Sequence, residues 1–226
     1  LTVDVDQPWL YRNKGALYSL GALIRDLFGL RFIDLAGRIK ALTGITPDPA
    51  DTFTYLKAKE KKLQLPVRYF ILCQRKGKHD KNRSLYKKKF KNLVQRLDTN
   101  KTVGIHPSFS SFGNNELLDE EIAWLTETTG RKITSSRQHY LLFRFPDTCR
   151  ELIRRGIQAE YTLGFSSQTG FRTGMARACN FFDLEKEEET NLRLVPLMVM
   201  DRTLKDYLSL NPVNAYEAYQ HFIDQI

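Results

Sequence analysis

The strongest constraint on this chain is an alternation between short apolar, β-branched runs and longer segments of helical periodicity. Strand-like runs are Leu1 to Asp6, Val67 to Cys73, Val103 to Pro107, Ile133 to His139, Ala159 to Leu163, Gly170 to Ala176 and Leu192 to Met200. Between them lie helical stretches at Ala16 to Phe28, Asp34 to Leu42, Thr52 to Lys62, Ser84 to Leu97, Asp119 to Thr128 and Thr148 to Arg155. A final helix is expected over Val213 to Ile226. Apolar positions at i, i+3 and i+4 bury one face of a helix, whereas strict alternation buries one face of a strand. Asp119 reads as a helix N-cap, and Gly130 and Gly156 read as C-caps. Strands separated by helical crossovers predict an α/β fold around a parallel sheet, open or closed as a barrel. No Pro-, Gly- or Ser-rich linker and no internal repeat divides the 226 residues, so the expectation is one domain spanning residues 1–226.

Composition removes several classes. Hydrophobic residues at 42% and aromatics at 12% support a full core. No apolar run reaches the ~18 residues of a membrane span. Cys73, Cys149 and Cys179 are far apart and lack CxxC spacing, which favours reduced structural thiols and the cytoplasm. Residue 1 opens directly on a strand, so the chain is expected to be the C-terminal part of a longer protein whose targeting is not legible here.

The net charge of +9 is concentrated. Residues 57–101 hold Lys57, Lys59, Lys61, Lys62, Arg75, Lys76, Lys78, Lys81, Arg83, Lys87, Lys88, Lys89 and Lys91. Such a block is expected to be a solvated helix face; the competing reading is a surface for a polyanion or a partner. No nucleic-acid motif accompanies it, and Tyr86 and Phe90, at i and i+4, are expected to face the core. Nucleic acid is therefore not an expected partner.

In βα folds the carboxyl ends of the strands carry the chemistry. The first strand ends in Asp4 and Asp6, which alternation puts on one side. Two neighbouring carboxylates repel unless a metal, an arginine or a shared proton relieves them. The third strand ends at His106, the fourth at Arg137 and His139, the sixth centres on Arg172, and the seventh ends at Asp201. Acids, two of four histidines and two arginines thus fall where a catalytic rim is expected. Each has an ordinary alternative: His139 precedes an apolar run, as a buried histidine does, and Asp201 can cap the helix that follows it.

These residues resemble the polysaccharide deacetylase superfamily, carbohydrate esterase family 4 with its NodB-homology domain, and within it the divergent bacterial deacetylase-like members. The resemblance rests on Thr2-Val3-Asp4-Val5-Asp6, Gly104-Ile105-His106-Pro107-Ser108, Ser136-Arg137-Gln138-His139-Tyr140, Gly170-Phe171-Arg172-Thr173-Gly174 and Pro196 to Leu204. It covers nearly the whole chain and implies a distorted (β/α)7 barrel. It implies Asp4 as general base, Asp6 and His106 as metal ligands, and Arg137 as the group that orients the base. His139 and Arg172 are then candidate substrate contacts.

The chain departs from that pattern twice. The family's His-x-x-x-His carries Ser110 here as its second member, and a hydroxyl is a poor zinc ligand. A bound divalent ion, with zinc the expected metal, is accordingly expected to be weakly held, or absent, unless His139 or Asp201 completes the site. The family's Leu-x-His, source of the general acid, reads Met198-Val199-Met200-Asp201, which leaves Asp201 as the acid. The resemblance implies a hydrolase of carbon–nitrogen bonds other than peptides, removing an N-acetyl group from a carbohydrate. The alternatives are a non-catalytic carbohydrate-binding relative and a basic domain that binds a polyanion or partner.

Overall fold

The computed structural model describes residues 1–74, 77, 79–80, 82, 85 and 88–224. Arg75, Lys76, Lys78, Lys81, Arg83, Tyr86 and Lys87 lie outside these, as do Ser84, where a helix is expected to start, and residues 225 and 226. The chain forms two compact units, Leu1–Val103 with Ala123–Arg131 and Gly104–Ile122 with Lys132–Ile226.

The first unit begins with β1 (Thr2–Val5), followed by α1 (Ala16–Phe28), α2 (Phe32–Thr43), α3 (Phe53–Leu63), β2 (Arg68–Leu72) and α4 (Lys88–Leu97). β1 and β2 pair in parallel, with Val3 opposite Tyr69 and Val5 opposite Ile71. Tyr69, Phe70, Ile71 and Leu72 are all buried, as in a strand covered on both faces. α4 buries Phe90, Leu93, Val94 and Leu97, an i, i+3, i+4, i+7 stripe. Phe90 stacks on Trp124 at 5.9 Å and meets Trp9 edge-on at 6.3 Å. Lys59, Lys61, Lys62, Lys88 and Lys89 are exposed and Lys57 and Lys91 are half-buried, so most of the described lysines of the basic block form a solvated face, as expected.

The second unit holds most of β3 (Val103–His106) and the first half of α5 (Asn115–Thr129). It continues through β4 (Ser135–Ser136), α6 (Asp147–Arg154), β5 (Ala159–Glu160), β6 (Cys179–Asp183), β7 (Glu188–Leu194) and α7 (Pro212–Ile223). β3, β4, β5 and β7 pair in parallel, and β6 runs antiparallel to β7. Within the first unit β1 neighbours β2, and in the second the order is β3-β4-β5-β7-β6, so the α/β class agrees with expectation. The core gathers Ile105, Ile133, Leu152, Ile157 and Leu192, with the Cys149 thiol among them. α6 is tied outward by Arg150, whose guanidinium donates to both carboxylate oxygens of Asp183 at 2.7 and 2.6 Å. Gly164 has no room for a side chain, since a Cβ would lie 2.8 Å from Leu197 Cγ.

Several expectations need correction. Gly170–Ala176 is not a strand. Gly170 and Gly174 take φ of 122° and 72°, and Gly174 N–H bonds back to Phe171 O, so the segment closes into turns. The missing strand is supplied by β6, which reached the sheet through a charged hairpin turn that reads as a loop. β7 therefore starts earlier than Leu192 and stops at Leu194, ahead of Pro196, which has no N–H to donate. β4 is shorter than Ile133–His139, because His139–Leu141 form a helical turn with Tyr140 at φ 58°. α5 starts at Asn115, and the Asn114 side chain, not Asp119, receives Leu117 N–H at 3.1 Å. Asp119 instead binds Arg155 at 2.6 Å. Gly130 and Gly156 do end their helices at positive φ.

Candidate functional site

The second unit brings two imidazoles together. β3 is buried along its length and ends in His106, which is itself buried. The loop beyond it is pinned by a buried acid of α5: Glu121 Oε2 accepts Ser108 N–H at 3.0 Å, and Ser108 Oγ accepts Ser111 N–H at 3.0 Å. Past β4 the chain keeps bonding to the chain past β3. Arg137 N–H donates to Ile105 O and His139 N–H to Pro107 O, both at 3.0 Å. That extended ladder sets the His106 and His139 rings side by side, centroids 5.0 Å apart. Each offers a ring nitrogen, and these lie within 4.8 Å of one another.

The tautomer of His106 follows from its partner. Its Nδ1 lies 2.5 Å from the carbonyl oxygen of Arg137, which can only accept. Nδ1 therefore carries the proton, and in the neutral ring the lone pair belongs to Nε2. An imidazole whose second nitrogen is held by a backbone carbonyl is the usual support of a metal-binding histidine. The pair thus fits a divalent cation better than the sequence pattern around Ser110 suggests, because the second imidazole comes from the next strand end.

Arg137 is buried, and its Nε donates to Tyr161 O at 3.2 Å. Its strand also carries a network that sequence reasoning missed. Ser136 faces Glu160 across β4 and β5, and its hydroxyl donates to one carboxylate oxygen of Glu160. The other oxygen takes the Thr162 hydroxyl and Thr162 N–H, while Thr162 Oγ1 receives Gln138 N–H at 2.8 Å. Complete burial pushes the Glu160 carboxyl up to about 7; the Ser136 and Thr162 hydrogen bonds and the charge of Arg137 offset part of that rise. The signal available in the sequence was an acid inside an expected strand, where burial demands partners.

In the first unit, Asp4 is exposed on β1 and Asp6 follows the strand directly, half-buried. The loop after them is fixed by Asp48, whose carboxylate accepts N–H groups of Leu10, Tyr11 and Arg12 at 2.7–2.8 Å and of Ala50 at 3.1 Å. Burial works against that charge, but the four backbone donors prevail and hold its pKa below the usual range. Trp9 Nε1 adds a bond to Asp51 at 3.1 Å. The strand end carrying both acids therefore runs into a defined loop.

Two expected rim residues sit elsewhere than on strand ends. Arg172 is exposed in the turn closed by Gly174, and Asp201 is exposed at the start of a helical turn, accepting Arg202 N–H at 2.8 Å. The two loops are nonetheless joined, since Gly170 N–H donates to Met198 O at 2.9 Å.

No family model matches the chain, and no curated protein matches it. Among solved structures it is similar to a protein of Mycobacterium smegmatis described as a polysaccharide deacetylase, with 11% identity over 75% of this chain and a TM-score of 0.42. The chain spans 54% of that protein's length. It is also similar to IcaB of Ammonifex degensii, with 15% identity, a TM-score of 0.38, and coverage of 73% of this chain and 83% of the other. Both likenesses are distant.

Proposed function

We propose that the chain is a metal-dependent deacetylase that removes an N-acetyl group from a carbohydrate, with His106 and His139 as ligands of a divalent cation and Asp6 as the further ligand that the resemblance implies. The observation that supports this most is the imidazole pair of the second unit, with Nδ1 of His106 fixed as the donor and Nε2 left as the ligand. The order of the motifs around Asp4, His106, Arg137 and Arg172 points the same way. In this reading His139 takes the place that Ser110 cannot fill.

A divalent ion held by these residues would supply Lewis acidity for the attack of water on the carbonyl. Asp4 takes the proton of the attacking water, the general-base role that the resemblance implies for it, and Arg137, anchored through Nε to Tyr161 O, is the orienting residue of the same motif set. Asp201 is the candidate donor of the proton that the leaving amine takes up, and Arg172 is the candidate contact to the sugar. A two-carboxylate arrangement needs unlike environments for the two roles.

The test is acetate release from an N-acetylated chitooligosaccharide with zinc, cobalt or nickel supplied. Asp4→Asn should lower the rate about 10²- to 10⁴-fold with the fold intact, the loss typical of a missing general base. Zinc titration should find His106→Ala and His139→Ala weakened at least about 10- to 100-fold, and Ser110→Ala unchanged. Wild type that binds no metal and releases no acetate would replace this reading with that of a non-catalytic carbohydrate-binding domain.

A further inference from the structure

We infer that the α1–α2 hairpin is a membrane-docking element that seats in the headgroup region of a bilayer carrying anionic lipid. The inference concerns the first unit alone and does not depend on the catalytic reading. An ordinary surface helix buries its apolar stripe and shows its charges to water. This hairpin does the reverse. The buried residues of α1 are Ala22 and Asp26, and those of α2 are Arg38 and Ala41. Asp26 accepts from Arg38 Nε at 2.8 Å and from Arg25, so the inner side holds an ion pair. Leu17, Leu20, Ile24 and Leu27 form a single stripe at helical spacing, and all are exposed, Leu17 at 88%.

The stripe runs onto an apolar tip. Phe28 is 81% exposed and Ile33 90%, with Leu30 and Phe32 between them also exposed. The turn itself is ordered by Gly29 N–H to Arg25 O and Arg31 N–H to Asp26 O, both at 2.9 Å. Single exposed leucines are ordinary, but a contiguous apolar face marks a partner. A protein groove takes the flank of a helix; an apolar flank that continues around the tip suits a medium that surrounds it.

Charge selects the medium. Arg25, Arg31 and Lys40 are exposed around the apolar face, against one exposed acid, Asp34, because Asp26 is used internally. A second copy of the chain would bring the same excess of cations against itself, whereas acidic headgroups complement it. α1 has 13 residues, roughly 20 Å, too short for the ~30 Å hydrocarbon layer, so the element lies in the interface instead of crossing it.

Cosedimentation of the full chain with vesicles tests this. The chain should bind phosphatidylcholine vesicles containing phosphatidylglycerol and bind pure phosphatidylcholine more weakly. Phe28→Ser/Ile33→Ser should cut partitioning about tenfold or more while leaving the thermal midpoint in place, since both side chains lie outside the core. Leu17→Ser, at the far end of the stripe, should move partitioning in the same direction, and Lys61→Ala/Lys62→Ala on α3 should not. No binding to the acidic vesicles, or equal binding by the serine variants, overturns the proposal. So does a dimer in sedimentation velocity that the serine variants dissolve while wild type ignores vesicles, which would assign the face to a second copy.

Discussion

In the α1–α2 hairpin a buried acid meets guanidinium groups; in the β4–β5 pair a buried acid meets hydroxyls. The consequences are opposite. Burial favours the neutral form of both carboxyls, but Arg38 and Arg25 bring Asp26 below its ordinary value of 3.8. Glu160 has only partial compensation from Ser136, Thr162 and the more distant charge of Arg137, and it rises from 4.5 to about 7. A full positive charge at hydrogen-bond distance outweighs desolvation, whereas two hydroxyls do not. One acid is thereby held ionised at all ordinary pH, and the other changes protonation near neutrality.

The largest effect is expected where the ionised acid loses its partner. Arg38→Ala should lower the urea midpoint more than any other substitution named below, because it leaves a buried carboxylate with only the exposed Arg25 as its partner. Wild-type Asp26 contributes stability that is present above pH 3.8 and lost as pH falls through its lowered pKa. In the variant the penalty should therefore be greatest at neutral pH and shrink in acid, which unfolding curves across pH 3 to 8, a span of about five units, would reveal.

Glu160 carries the opposite sign. Its folded pKa lies above its unfolded one, so its contribution is fully present below 4.5 and is lost as pH rises to about 7. That slope is worth on the order of 3 kcal/mol at ~1.36 kcal/mol per unit. Glu160→Gln should remove the slope, so that wild type and variant differ in acid and at pH 8 by clearly different amounts. Equal slopes would show that Glu160 does not titrate with folding.

The smallest change sharpens the same contrast. Ser136→Ala removes one donor to the charged form of Glu160 and should cost about 1 kcal/mol, mainly above neutrality. A loss of equal size at low pH would mean that the hydroxyl serves the strand pairing and not the carboxylate. As a pH-independent reference, Gly164→Ala should cost about 1–3 kcal/mol through overpacking against Leu197 at every pH.

The sequence was most legible where one local signal decides. α1 runs from Ala16 to Phe28 as read, and β1, β2 and β3 fall within the expected runs, because apolar period and chain breaks coincide there. Gly170–Ala176 failed because glycine makes an alternating pattern compatible with turns. The outward face of α1 was illegible for a different reason: periodicity tells which residues share a face, not whether that face meets core or solvent. α4 and α1 have comparable stripes and opposite exposure. The same limit applied to the imidazoles. A motif centred on His106 expects its companion four positions on, at Ser110, with His139 as an alternative; the ring contact between His106 and His139 comes from strand pairing that no local spacing encodes. Glu160 was visible as an acid in a strand, but its hydroxyl partners depended on the β4–β5 register.

The buried thiols give each unit its own clock. Cys73 is buried in the first unit and Cys149 in the second, and neither is in a disulfide. Burial, with Glu160 and Asp183 nearby, pushes the Cys149 thiol up to about 12, so its nucleophilic thiolate is scarce while the unit is closed. Alkylation of Cys149 in native buffer thus measures how often the second unit opens, and Cys73 reads the first by the same chemistry. A protein labelled at both positions and digested after timed exposure would report whether the two units breathe together or separately.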